Sequence, residues 1–392
     1  MKHAVAFATV VALAASASAD PLRLRADALA STQSPAGLLV LEADGAERPE
    51  LSAEAVIWLA GRHDERDEAR HGDVIVIAIK ARTRGDRARG TIGRFVSTLG
   101  ALRPVHVDGA ALRLRLPKRF EIETVGGMPV VPASVAAGRA WDWLVGARLS
   151  RRLGDYGAIG VAYSQQRDAG RKVYEEVALD AGIALGKRDD LGARVAYDVA
   201  NPGLAEVALT ARHVHKPVRA DLYVTHRAAS HLLPATSLFT VIGDVPSVRA
   251  GALLTWPAAP RLDLVADLGA RRVDSDVAPE LVARARLKLD DRGASALTGE
   301  LRRSGIADEA WTGARGAARI ALPRSLALST ELELVIPDDA RGRGTAWPWA
   351  LAACSWQRAA WQSALAVEAS ASPEYRHRVD VLFQLARQWG VP

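Results

Sequence analysis

Apolar and charged positions alternate one by one along most of this chain. In residues 281–289, Leu281, Ala283, Ala285, Leu287 and Leu289 share one phase, and Arg284, Arg286 and Lys288 share the other. Successive side chains of a β-strand point to opposite faces, so a period of two predicts a strand. The same pattern sets Leu112, Leu114 and Leu116 against Arg113 and Arg115, and Phe120 and Ile122 against Arg119, Glu121 and Glu123. Leu262, Leu264, Ala266 and Leu268 oppose Arg261, Asp263 and Asp267, while Leu332, Leu334 and Ile336 oppose Glu331 and Glu333. Near the end, Val379, Val381, Phe383 and Leu385 oppose Arg378, Asp380 and Gln384. None of these segments has the i, i+3, i+4 spacing of an amphipathic helix.

Strands are predicted to begin near residues 21, 36, 53, 73, 88, 105, 118, 141, 157, 173, 190, 203, 217, 246, 261, 280, 292, 310, 325, 346, 360 and 376. That makes about 22 strands, with a range of 18–22, each near the ~10 residues a tilted strand needs to cross a bilayer. Tight connections are expected at Pro117, 187–189, Arg292 and 323–324, and looser ones at 127–140, 229–245, 273–279 and 338–345. Trp256, Trp311, Trp347, Trp349, Trp356, Trp361 and Trp389 fall near strand ends, where interfacial girdles form. In hydrocarbon every backbone group must pair internally, so the β solution is a closed, antiparallel up-and-down barrel. A charged side chain facing lipid at the midplane costs roughly 2–4 kcal/mol. The charged phase is therefore expected to face the lumen. The fold class is all-β.

The N-terminus adds a direction of travel. Lys2 and His3 precede an apolar stretch from Ala4 to Ala15, and Ala17-Ser18-Ala19 follows with the small-x-small pattern of a cleavage site. A signal peptide is expected over 1–19, leaving 20–392 as a single barrel domain. The apolar runs after it, such as Val74 to Ile79, are far too short for a membrane helix. Cys354 is the only cysteine, which excludes an intrachain disulfide. There is no CxxCH haem-attachment motif and no HExxH zinc motif, so neither cofactor nor metal is expected. The net charge of +6 invites nucleic acid as a partner. However, the basic residues are scattered among Asp and Glu, without zinc-finger or helix-turn-helix spacing, and that partner is not expected.

Over nearly all of 20–392 the chain resembles bacterial outer-membrane β-barrel proteins, the porins and related channels. Gly93-Arg94-Phe95 at a strand end and Asp108-Gly109 at the next strand start are similar to hairpins of porin and alginate-export-like barrels. That resemblance implies a mouth pair, Arg94 with Asp108, beside an outer loop and near the pore wall. The Arg- and Ala-rich style is also similar to uncharacterised barrels of myxobacterial type. Outer-membrane location is implied, with membrane lipid, barrel-assembly machinery, and small solutes or ions as partners. The ending Gln388-Trp389-Gly390-Val391-Pro392 departs from the family by lacking a terminal aromatic.

The leading functional expectation is a passive channel with an Arg-rich lumen that weakly favours anions, because rings of side-chain charge set pore selectivity. The pore-lining candidates are Arg113, Arg115, Glu121, Glu123, Arg148, Arg194, Glu206, Arg219, Asp221, Asp263, Asp267, Arg284, Arg286, Lys288, Glu331 and Glu333. The loop 229–245 is a candidate constriction. An alternative is a sheath enclosing an exported partner protein such as a multihaem cytochrome. A hydrolase is a third reading, with Ser230 and His231 near Asp244, or His213 and His215 near Glu206. No Gly-x-Ser-x-Gly elbow supports it, and an enzyme is not expected.

Overall fold

The computed structural model describes residues 22–31, 36–48, 50–64, 67–130, 142–228, 246–305, 310–338, 346–371 and 377–389. Both the signal peptide expected over 1–19 and the loop 229–245 lie outside them. The first strands are β1 (Leu22–Ser31), β2 (Ala36–Arg48), β3 (Leu51–Asp64), β4 (Asp67–Arg82), β5 (Ala88–Ser97) and β6 (Val105–Arg115). Next come β7 (Phe120–Pro129), β8 (Trp143–Arg152), β9 (Gly157–Asp168), β10 (Arg171–Leu185), β11 (Asp189–Asp198) and β12 (Gly203–His215). They are followed by β13 (Val218–Arg227), β14 (Ser247–Ala259), β15 (Leu262–Val273), β16 (Asp276–Lys288) and β17 (Ala296–Ser304). The last are β18 (Trp311–Leu322), β19 (Leu326–Pro337), β20 (Trp347–Arg358), β21 (Trp361–Ser370) and β22 (Arg378–Trp389).

These 22 strands of the described residues form one sheet in which each pairs antiparallel with the next. β22 then pairs with β1, Trp389 standing opposite Leu22, and the sheet closes. Closure leaves no strand edge for the backbone to expose, which is what a bilayer demands. Connections on the side of Leu22 and Trp389 are short, such as 153–156, 216–217 and 359–360. Those on the opposite side include the longer 98–104 and 130–142.

Strand starts fall within two residues of expectation for all but β4, β16 and β17. β4 begins six residues early because its first half, Asp67-Glu68-Ala69-Arg70-His71, is polar and hides the alternation. The expected loose loop 273–279 is mostly strand, since Val273 pairs with Asp276 across a two-residue turn. Turn-forming Asp274 and the later Pro279 masked the start of β16. At Arg292 the connection is longer than expected. There the Asp290 carboxylate accepts the amides of Ser295 (2.6 Å) and Ala294 (3.0 Å), which holds its pKa below the usual carboxylate range.

The apolar core does not lie between two layers. It lies where residues 98–104, between β5 and β6, pack against the sheet. Leu99, Ala101 and Leu102 are buried against Phe95, Val107, Val125, Leu144, Ala162, Ala178, Ala196 and Ala205. A seven-residue segment reaches side chains on so many consecutive strands only across the concave side, so this is the inward face.

Beneath the segment the wall carries three glycines in register, Gly93, Gly109 and Gly127. Gly93 has φ +126°, and a Cβ there would run into the carbonyl of Ile77. Gly299 and Gly316 are different, because a Cβ at either would meet nothing within 4 Å. Gly316→Ala is therefore expected to leave the barrel as stable or to stabilise it by about 0.4–1 kcal/mol, through a less flexible unfolded chain. Urea unfolding of the refolded protein in lipid measures this. A marked loss of stability would contradict it.

Candidate functional site

Register carries the inward face around the barrel. From Val107, two-residue steps along β6 lead to Arg113 and Arg115, which stand opposite Glu123 and Glu121. Glu123 faces Arg148, and Arg148 faces Ala162, a core neighbour of the segment. Arg194 and Glu206 follow on β11 and β12, and Asp221 and Arg219 on β13. Asp267 and Asp263 follow on β15, then Arg284, Arg286 and Lys288 on β16. Glu333 and Glu331 complete the run on β19. All 16 pore-lining candidates thus share the face that carries the segment, while Leu112, Val161, Leu179, Leu222, Leu268 and Leu332 point outward and are exposed.

Many of these charges are paired. Arg148 bridges Glu123 (2.8 Å) and Asp180 (3.0 and 2.6 Å), and Arg113 reaches Glu121 at 2.8 Å. Arg115 lies 2.8 Å from Asp86 and 3.5 Å from Glu121. Asp221 accepts from Arg212 (2.8 Å) and Arg219 (2.7 Å), and Lys288 lies 2.9 Å from Asp263. Asp267 is held by Tyr223 (2.6 Å) and Arg249 (3.1 Å), and Arg315 reaches Glu331 at 2.5 Å. Glu300 accepts from both Arg284 and Arg302. Cross-strand opposite charges on one face attract, so these rungs brace the wall as well as line it. Among the described residues Arg194, Arg271 and Arg319 make no ion pair or hydrogen bond, and Arg286 reaches only the Gly293 carbonyl at 3.5 Å.

The inward segment is the element that the sequence reading missed. Leu102 donates its amide to the Leu99 carbonyl at 3.0 Å, and Gly100 turns the chain with φ +58°. Gly100 sits directly on the Arg148–Asp180 pair, where a side chain would collide with both. A Cβ on Gly146 would come within 2.7 Å of the Leu99 methyl. Arg103 stacks over the Tyr174 ring at 3.8 Å, with its charge close to the fully buried Glu176 and Asp198. One signal was available in the chain. The inward phase of β9 is Gly160, Ala162 and Ser164 rather than charged, and small side chains make room for something.

Two expectations require correction. Arg94 and Asp108 do pair, with Nε to Oδ1 at 2.7 Å and Nη2 to Oδ2 at 2.8 Å. They do not line the pore: their neighbours Phe95 and Val107 take the inward phase, leaving Arg94 opposite Ile77 and Asp108 opposite Met128 on the outward one. A two-pronged, charge-assisted pair near the strand ends keeps that placement tolerable. Arg94 also donates to the Val74 carbonyl at 3.0 Å, where β4 parts from β5. The second correction concerns tryptophan. Trp256, Trp356 and Trp361 point outward near strand ends, whereas Trp311, Trp347 and Trp349 stand on the inward phase. The Trp349 indole donates to Glu368 at 2.7 Å instead of sitting in a girdle.

The hydrolase candidates do not assemble among the described residues. Ser230, His231 and Asp244 lie outside them. His213 points outward, contacts Asp189 at 2.6 Å and stacks on His215, while Glu206 faces inward at the far end of β12. No group of three or more metal-ligating side chains occurs among the described residues.

No protein-family model matches the chain, and no curated protein does. Solved structures do match. The P pilus usher (PapC) translocation pore aligns over 95% of this chain and 100% of that one, at 11% identity and TM-score 0.52. The E. coli P pilus tip assembly intermediate PapC-PapD-PapK-PapG aligns over 95% of this chain but 61% of that one, at 9% identity and TM-score 0.54. Pseudomonas aeruginosa OpdK with vanillate aligns over 94% of this chain and 97% of that one, at 12% identity and TM-score 0.43. At such identities the likeness is one of fold. The chain has the fold of the outer-membrane β-barrels.

Proposed function

We propose that the chain is a passive outer-membrane channel with a charged lumen, narrowed by residues 98–104 and biased toward anions. The observation that carries this reading is the closed wall whose mid-strand charges lie mostly on the inward face, with outward charges such as Arg94 and Asp108 set toward strand ends. The anion bias follows from the free groups: Arg194, Arg271, Arg286 and Arg319 keep their charge for passing ions against Glu206 and Glu333, while most other inward carboxylates are held by a cation. A sheath around a partner protein fits less well, because the segment already lies across the inward wall from Gly146 on β8 to Tyr174 on β10.

The test is the reversal potential of the refolded protein in a planar bilayer under a salt gradient. An anion-biased potential is expected, moving toward zero in Arg194→Gln/Arg271→Gln. A cation-biased potential, or no shift in the variant, contradicts the assignment.

A further inference from the structure

Where β16, β17 and β18 meet, three inward rows cross the wall. The first is Arg284, Glu300 and Arg315, the second Arg286, Thr298 and Ala317, and the third Lys288, Ala296 and Arg319. In the first row every charged group has a partner, since Arg284 and Arg302 share Glu300 and Arg315 takes Glu331. Lys288 is matched too, by Asp263. Arg286 and Arg319 are left over. They open into one lumen cavity of about 470 Å³, with Thr298 and Ser329 also in its lining.

This arrangement has the composition of a recognition site rather than of a brace. Arg286 and Arg319 stand two strands and one row apart, about 12 Å at the usual strand spacing and rise, and only Ala296 and Thr298 lie between them. The intervening side chains are too small to block either guanidinium from turning toward the other. The cavity lining holds four arginines against two glutamates, and both glutamates are already engaged. Guanidinium presents a planar fork of donors that matches a carboxylate, and hydroxyls accept or donate as the solute requires. A cavity of this size falls within the range of small-molecule sites.

We infer that this cavity is a binding station for a small organic dicarboxylate, with Arg286 and Arg319 taking one carboxylate each and Thr298 and Ser329 hydrogen-bonding to it. The station rests on the channel reading for its purpose, but its chemistry is testable without conduction. The experiment is equilibrium dialysis of labelled succinate against the refolded protein in detergent at low salt, with planar-bilayer conductance recorded in parallel. Saturable binding is expected, weakened at least tenfold in Arg286→Gln/Arg319→Gln and retained in Arg194→Gln, which removes an unpaired inward arginine elsewhere. Absent binding by the native protein, or equal binding by the double variant, overturns the station. If that variant fails to refold, Thr298→Val/Ser329→Ala replaces it, and unchanged binding then overturns the proposal. Binding without conductance would sink the channel reading and leave the station standing.

Discussion

Excising residues 99–103 and bridging the gap with Gly and Ser is expected to give larger, steady conductance steps from a barrel that still refolds. Burial of a leucine side chain contributes about 1.5–3 kcal/mol, so Leu99 and Leu102 together hold the segment to the wall by roughly 3–6 kcal/mol before its ordering cost. The Leu102 amide on the Leu99 carbonyl and the Arg103 stack on Tyr174 add to that hold, and uniform native steps are expected. Leu102→Asp places a carboxylate where the leucine is buried among Val107, Val125 and Leu144. Leaving it there costs more than undocking, so flickering between native and larger steps is expected. Single-channel recording reads both variants. Native-sized steps from both would mean that the segment lies outside the ion path.

Gly93→Val is expected to destabilise the barrel severely. Its φ of +126° is strained for any L side chain, and the added Cβ would strike the Ile77 carbonyl in the wall itself. Left-handed strain costs on the order of 1–3 kcal/mol. Overpacking adds about 1–3 kcal/mol more, and backbone is the least able to yield. Against a typical stability of 5–15 kcal/mol, this removes much of the margin. Loss of the heat-resistant β-structure in circular dichroism checks it, with Gly316→Ala as the matched control. A Gly93→Val barrel as stable as the native one would contradict the close approach seen at β4 and β5.

The barrel was legible because one physical rule repeats along it. A strand with water on one side and lipid on the other must alternate, and most of β5 to β22 do so; β20 is an exception, with Trp347, Trp349, Leu351 and Ala353 on its inward phase. What hid β4 and β16 was polar or turn-forming residues at their starts, where local propensity speaks against the pairing that tertiary context enforces. The charged face was legible by the same alternation. Phase along one strand, however, does not say which neighbour is inward, and so the outward placement of Arg94 and Asp108 was invisible until Phe95 and Val107 were seen beneath the segment. The segment itself has no period. Thr98 to Pro104 reads as an ordinary connection, and its place is set by Ala162, Ala178 and Ala196, which are far away in the chain and share no motif with it.

The lone thiol tests directly which side of the wall meets water. Cys354 stands opposite Leu328 on the outward phase, and Ser355 opposite Ala327 on the inward one. In liposomes a charged, water-soluble maleimide should leave Cys354 unlabelled until the protein is unfolded. It should label Ser355→Cys readily in a Cys354→Ala background. The reverse pattern would contradict the account, since a one-residue shift of phase exchanges lipid-facing and lumen-facing side chains throughout a strand.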